Sequence, residues 1–328
     1  MNTKLILGHS DISINRIGLG CMGMSDFYGS SDDQQSLKLL QQALDEGVDF
    51  FDTADMYGIG HNETLLGKAF SGKWDKLTLA TKFGIRRNPE DGSRSGICGK
   101  PEYVKSCCDA SLKRLGRDHI DLYYLHRLDP ETPLEETIGA MKELVEAGKV
   151  RHIGVSELNT ANLKKAHAVH PISALQTEFS MWTREARDEV FQTCKDLGIT
   201  FVAYSPLGRG FLTGQLNRDD LEDKDFRRNV SRLEDDALKQ NQAYLDLIKQ
   251  MAETKKCTMA QIALAWVLQS NQNLVTIPGT RSIQRLRENN AAVSIELTPE
   301  QMERIEALLP KQTAGARYPD GMDPRNFQ

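Results

Sequence analysis

Eight short runs of β-branched, aliphatic and aromatic residues recur along this chain: INRIGL, VDFFD, LTLATK, IDLYYLH, RHIGVS, SALQT, TFVAYS and NLVTIP. Amphipathic stretches lie between them, among them QQSLKLLQQALDEG, PEYVKSCCDASLKRLG, LEETIGAMKELVEAGK and DEVFQTCKDLG. Most of the strand runs are apolar at every position, a pattern suited to a parallel sheet covered on both faces. Gly47, Gly116, Gly148 and Gly198 stand where the helical stretches should stop, because glycine accepts the left-handed conformation there. Eight strand–helix units predict a closed (β/α)8 barrel, of the TIM type, in the α/β class.

The length of 328 residues suits one such barrel, and no linker or low-complexity segment divides residues 1–328, which read as a single domain. Two segments break the alternation. TKLILGHSDISI predicts an N-terminal β-hairpin, and PLGRGFLTGQLNRDDLEDKDFRRN a long charged loop, within 206–237, after the seventh strand. Loops of that length are functional or mobile. The tail beyond Pro310 reads as irregular.

With a net charge of −5 and no basic cluster, the chain offers nothing to nucleic acid. No apolar run reaches the ~18–20 residues of a membrane helix. The N-terminus lacks the long apolar stretch of a signal peptide, so a cytoplasmic location with no membrane partner is expected. The six cysteines show no zinc-type spacing, and adjacent Cys107 and Cys108 fit a reducing compartment. Gly18, Gly20 and Gly23 spell G-x-G-x-x-G, but the polar run MSDFYGSSDD follows where a dinucleotide-binding turn needs a helix. These glycines therefore read as a tight turn at a strand end.

In a (β/α)8 barrel the reactive groups sit where strands end. The second strand ends at Asp52, the third at Lys82 and the fourth at His126; the next three end at Ser156, Gln176 and Tyr204. Neighbouring strands lie about 4.8 Å apart, so a carboxylate, an ammonium and an imidazole meet at one rim. An ion pair that merely closes the mouth is the structural alternative, disfavoured because burying charge without purpose is costly. Tyr57, five residues beyond Asp52, adds a phenol whose ordinary pKa near 10 is too high for a good acid. A close Lys82, held by Asp52, is expected to lower it. His126 would then orient a substrate oxygen. That set protonates a developing alkoxide, which suits carbonyl reduction. No Ser or Cys is paired to a base, and His126 is the one convincing histidine at a strand end, so neither covalent catalysis nor a metal centre is expected.

The ordered motifs GLGCMGM, FDTADMYG, LATKFG, DLYYLHRLD, AGKVRHIGVSELN, LQTEFSMW, VAYSPLGRGFLTG and IPGTRSIQRLRENN carry a resemblance. Over nearly its whole length the sequence resembles the aldo-keto reductases, in particular the bacterial and plant branch described as general or auxin-induced. The resemblance implies NADPH/NADP+ as cofactor and a small carbonyl substrate. It makes Tyr57 the general acid, Lys82 and Asp52 its activating pair, and His126 the residue that orients the carbonyl. Ser156 and Gln176 match contacts to the nicotinamide carboxamide, and Tyr204 the ring that stacks on the nicotinamide. Ser205, Leu207 and Arg209 match the loop along the pyrophosphate; Gly279, Arg281, Arg285, Glu288 and Asn289 match the segment at the adenosine end. An arginine such as Arg281 can pair bidentately with a 2′-phosphate, which favours NADPH over NADH. Arg287 reads instead as part of a solvated helix face.

The sequence departs from the family at two places. Glu157 stands where many members carry Asn, which puts one carboxamide contact in question. Arg127 follows the histidine where some branches have an aromatic residue; it either favours acidic substrates or pairs with Asp129. Met22, Phe83, Arg127 and Trp182 are the expected pocket lining, with Met181, Cys21 and Tyr28 as further candidates; for Trp182, packing under the cofactor loop fits equally well. Two functions fit: a stand-alone NADPH-dependent reductase of aldehydes or ketones, and an NADPH-binding regulatory subunit like those of potassium channels. Neither oligomeric state nor physiological substrate is legible.

Overall fold

In the computed structural model, which describes residues 3–187, 189–319 and 322–323, eight parallel strands form one sheet. In chain order β1 (Lys4–Ile6) and β2 (Ser13–Asn15) pair antiparallel as the N-terminal hairpin, and β3 (Leu19–Gly20), β4 (Phe50–Asp52) and β5 (Thr78–Phe83) begin the barrel. A second antiparallel hairpin follows, β6 (Ile85–Arg87) with β7 (Arg94–Ile97). It was not expected from the sequence, although its turn residues NPEDG are the usual ones. The barrel continues with β8 (Ile120–Leu125), β9 (Val150–Ser156), β10 (Ala174–Glu178), β11 (Thr200–Tyr204) and β12 (Leu274–Thr276), neighbours in that order.

The ring closes between its first and last strands. Gly18 donates its N–H to the Thr276 carbonyl and Thr276 donates to Arg16, each at 2.9 Å. A Cβ on Gly18 would lie 2.7 Å from Phe50, and one on Gly20 would lie 2.8 Å from the Ile277 carbonyl. Gly18 and Gly20 of the G-x-G-x-x-G match thus serve barrel closure, while Gly23 lies against the Tyr28 ring. The first long helix after them, α1 (Asp33–Asp45), starts only where the Asp32 side chain caps the Gln35 N–H at 2.9 Å.

The hairpin seals the bottom of the barrel. Leu7, Ile12 and Ile14 are buried with the inward-facing Phe50, Ala80, Leu122, Tyr124, Ala174, Val202 and Val275. The larger core lies between the sheet and the surrounding helices: α2 (His61–Phe70), α3 (Pro101–Leu115), α4 (Leu134–Glu146), α5 (Thr160–Val169), α6 (Glu189–Asp196), α7 (Asp235–Gln240), α8 (Gln242–Lys255), α9 (Met259–Ser270), α10 (Ile283–Ala291) and α11 (Pro299–Leu308). No helix among the described residues is long and apolar enough to cross a membrane.

Two irregular segments cross the open end. The loop after β11 reaches the loop after β3, where Phe226 donates to the Phe27 carbonyl at 2.8 Å and Ser30 donates to the Glu222 carboxylate at 2.8 and 2.9 Å. The tail after α11 has no regular structure from 310 to 319, as expected, but it is tied down: Thr313 donates to the Trp182 carbonyl at 2.9 Å, and Asn241 and Ala314 exchange hydrogen bonds at 3.0 and 3.1 Å.

Candidate active site

Adjacent strands β4 and β5 bring Asp52 and Lys82 together at the mouth. Lys82 is fully buried; its Nζ donates to Asp52 Oδ1 and, at 2.7 Å, to the Thr53 carbonyl. The other Asp52 oxygen accepts from Gln176 Nε2, also at 2.7 Å. Burial pushes the Asp52 pKa up and the Lys82 pKa down, and their mutual attraction works against both shifts. Gln176, expected at the carboxamide, is thus engaged as a brace of this pair.

Tyr57 sits above the pair, 7% exposed, with Lys82 Nζ 5.2 Å from its ring centroid. The His126 ring lies edge-on to it, centroids 6.1 Å apart. The expected lowering of the phenol pKa by Lys82 is not what the structure has. Burial, and then the Asp52 carboxylate, raise it well above its ordinary value, while the nearby Arg127 charge opposes them. Burial is the largest of these causes. Tyr57 is therefore firmly protonated, a donor rather than a phenolate.

His126 follows β8 and is 6% exposed. Burial, then the charges of Arg127, Lys82 and Arg94, hold its pKa well below the usual imidazole value. Its Nδ1 is buried with no hydrogen-bond partner among the described residues. The ring is neutral and has one N–H to offer a substrate oxygen.

Glu157 adopts φ +59°, and Ser205 and Arg209 across the mouth adopt +50° and +57°. Left-handed backbone costs non-glycine residues about 1–3 kcal/mol and tends to persist at functional sites. One network joins two of the three. Glu157 accepts from both terminal nitrogens of Arg317, at 2.8 and 3.2 Å, from the Tyr204 hydroxyl at 2.7 Å and from the Glu178 N–H at 3.0 Å. Tyr204 shares a second hydrogen bond with the Tyr318 hydroxyl at 2.8 Å. Glu178 pairs with Arg209 at 3.2 Å, and the Arg209 guanidinium lies 4.8 Å from the Tyr318 ring centroid. Arg317, Tyr318 and Glu178 were missed by sequence reasoning. The first two lie in a tail with no periodicity, and their partners are far away in the chain.

Arg127 does not pair with Asp129. Its Nη1 donates to the His126 carbonyl at 2.6 Å and to Ser156 Oγ at 3.0 Å, while Asp129 accepts from the Gly99 and Glu131 N–H groups and the Thr132 hydroxyl.

The expected pocket lining is only partly at the mouth. Met22 and Tyr28 are partly exposed in the loop after β3, and Arg127 is at the rim. Phe83 faces the other way: it is fully buried, stacks on Tyr123 at 5.0 Å and packs against α3, because successive strand residues alternate faces and Lys82 takes the inner one. Cys21 and Met181 are also fully buried, in the layers between sheet and helices. Trp182 is packed beneath the loop after β11, stacked on Phe211 at 4.2 Å with the Arg232 guanidinium 5.1 Å from its ring centroid.

The residues expected at the adenosine end gather beside β12 and at the start of α10. Gly279 bridges to Gly20, completing the ring. Exposed Arg281 donates to the Tyr28 carbonyl at 2.9 Å and to that of Ser30, and Arg285 is exposed one turn on. Glu288 is partly exposed and its carbonyl accepts from Gln261 at 3.0 Å; Asn289 is buried. Arg287 pairs with Glu46. Leu207 and Ser205 are partly exposed at the start of the long loop. Among the described residues no group of three or more His, Cys, Asp or Glu could hold a metal ion.

The Aldo/keto reductase family pattern matches residues 16–310. A probable aldo-keto reductase 1 of Glycine max is 41% identical over 320 residues, which are 97% of this chain and 92% of that protein. The structure of a glycerol dehydrogenase from Gluconobacter oxydans superposes with a TM-score of 0.86 at 26% identity, covering 94% of this chain and 96% of that one. An aldo/keto reductase from Klebsiella pneumoniae, solved with NADP and acetate, gives a TM-score of 0.75 at 26% identity, covering 97% and 99%.

Proposed function

This chain belongs to the aldo/keto reductase family of oxidoreductases, and from that premise we propose that it reduces aldehydes or ketones to alcohols with NADPH, Tyr57 donating the proton. The observation that carries the reading is the buried, protonated Tyr57 phenol between the Lys82–Asp52 pair and a neutral His126. Such a phenol holds its proton in the resting site. It releases the proton only to a strong base, and a developing alkoxide is one.

The donor set fits a dinucleotide. Tyr204 offers a half-buried aromatic face at the mouth, with its hydroxyl held by Glu157. Ser156 supplies a buried hydroxyl, and Arg281 and Arg285 supply exposed guanidinium groups at the start of α10 that suit a 2′-phosphate. When bound, NADPH supplies the hydride. His126 donates to the carbonyl oxygen and orients it, while Lys82, fixed by Asp52, stabilises the negative charge that grows on the Tyr57 oxygen as the proton leaves. Buried surroundings keep water from competing for that proton.

The test is to follow NADPH oxidation with a panel of aliphatic and aromatic aldehydes and ketones. Steady turnover on at least one is expected. Tight NADPH binding with no turnover on any would replace the reductase by a nucleotide-binding subunit of the same fold.

A further inference from the structure

Arg127 is a buried guanidinium, 8% exposed, whose direct partners are both uncharged: the His126 carbonyl and the Ser156 hydroxyl. Each nearby carboxylate is engaged by other groups. Asp52 is held by Lys82 and Gln176. Asp129 takes hydrogen bonds from two backbone N–H groups and Thr132. Glu157 is gripped by Arg317 and Tyr204. Burial holds the phenols of Tyr57 and Tyr204 beside Arg127 well above their ordinary pKa, so neither supplies a negative charge, and Arg94, on the hairpin after β5, adds a second positive charge that both Arg127 and His126 feel.

Arg127 feels the Glu157 carboxylate, but the hydrogen bonds of Glu157 go to Arg317, Tyr204 and the Glu178 N–H, and a buried guanidinium with no carboxylate bonded to it among the described residues is costly. A neutral amide would serve equally well to brace Ser156, so bracing does not account for the charge. What the charge answers is an anion that arrives with the substrate. We infer that Arg127 anchors a carboxylate carried by the carbonyl substrate, so that the site favours aldehydes or ketones bearing an acidic group over their neutral analogues. The Arg127 charge acts on both the Tyr57 phenol and the His126 ring, so the guanidinium lies beside the site where they meet. One small molecule can therefore place its carbonyl oxygen on His126 and, a few bonds away, its carboxylate on the guanidinium, which donates to the two carboxylate oxygens in a fork.

The inference rests on the reductase reading, and the experiment separates the two. Turnover of the full chain with NADPH is measured on two matched pairs, 4-oxobutanoate against butanal and 3-carboxybenzaldehyde against its methyl ester. The carboxylate member is expected to have the higher kcat/KM by about tenfold to a hundredfold, the worth of one charge-assisted hydrogen-bonded pair, expressed in KM. Arg127→Met should bring that ratio close to one, and Arg127→Lys, the variant to rely on should Arg127→Met fail to fold, should keep part of it. NADPH affinity, read by fluorescence titration, should change little in either variant.

Equal turnover within each pair in the wild type overturns the inference and leaves the reductase standing. So does a preference that survives in both variants. A variant that weakens NADPH while keeping the substrate ratio assigns Arg127 to the cofactor's phosphates instead, and also overturns it. Absence of turnover on every carbonyl removes the reductase and the inference together.

Discussion

Glu157 grips Arg317, 160 residues further along the chain, through both carboxylate oxygens at 2.8 and 3.2 Å. Both side chains are about 95% or more buried, so neither charge has water as an alternative partner. The pair fastens the C-terminal tail across the mouth and at the same time holds the Tyr204 hydroxyl. Removing Arg317 takes away the cation bonded to both Glu157 carboxylate oxygens. Arg317→Met is expected to cost about 3–5 kcal/mol of unfolding free energy by urea titration, and Glu157→Gln with Arg317→Met should recover most of it. No recovery in the double variant would mean that the two act independently.

Tyr57→Phe keeps the ring against Lys82 and His126 and removes only the proton donor. Carbonyl reduction is expected to fall by about two to four orders of magnitude, in kcat, with NADPH binding retained. Wild-type turnover in this variant would remove Tyr57 from the reaction.

Arg281 already holds the carbonyls of Tyr28 and Ser30, so its loss loosens the loop after β3 whichever cofactor is used. The comparison between cofactors isolates the phosphate. Arg281→Ala should weaken NADPH by about ten- to a hundredfold more than NADH, measured by fluorescence titration. Equal losses would show that only the loop contacts matter.

Asp55, two residues before Tyr57, titrates far from the usual carboxylate range: burial, reinforced by the Glu63 carboxylate, pushes its pKa up to about 8. The unfolded chain ionises this group near 3.8. The folded state therefore holds a proton that the unfolded state has lost, and the group's contribution to stability falls as pH rises from near 3.8 to about 8. Asp55→Asn removes that loss. Its stabilisation relative to wild type should be small at pH 4 and grow by about 1 kcal/mol per pH unit up to pH 8, read from urea unfolding at each pH. A pH-independent difference would place Asp55 in the ordinary range.

The barrel and the core of its rim were legible because both are written locally. Strand runs, helix periodicity and terminal glycines each need only a dozen neighbours, and the last residue of each strand locates Asp52, Lys82 and His126 at one end. The inward set also follows from strand alternation, which would have turned Phe83 away from the mouth once Lys82 was placed inside it. What the chain could not reveal depends on contacts between distant segments. The partner of Glu157 lies in a tail without periodicity, and Trp182 goes under the long loop only because Phe211 and Arg232 fold over it. The state of the Tyr57 phenol is decided by its burial and by the Asp52 carboxylate, which together outweigh the Arg127 charge. Sequence determines which groups reach the mouth; enclosure by the closed ring, the loop and the tail decides their charge and their partners, because desolvation is a property of the whole surrounding surface.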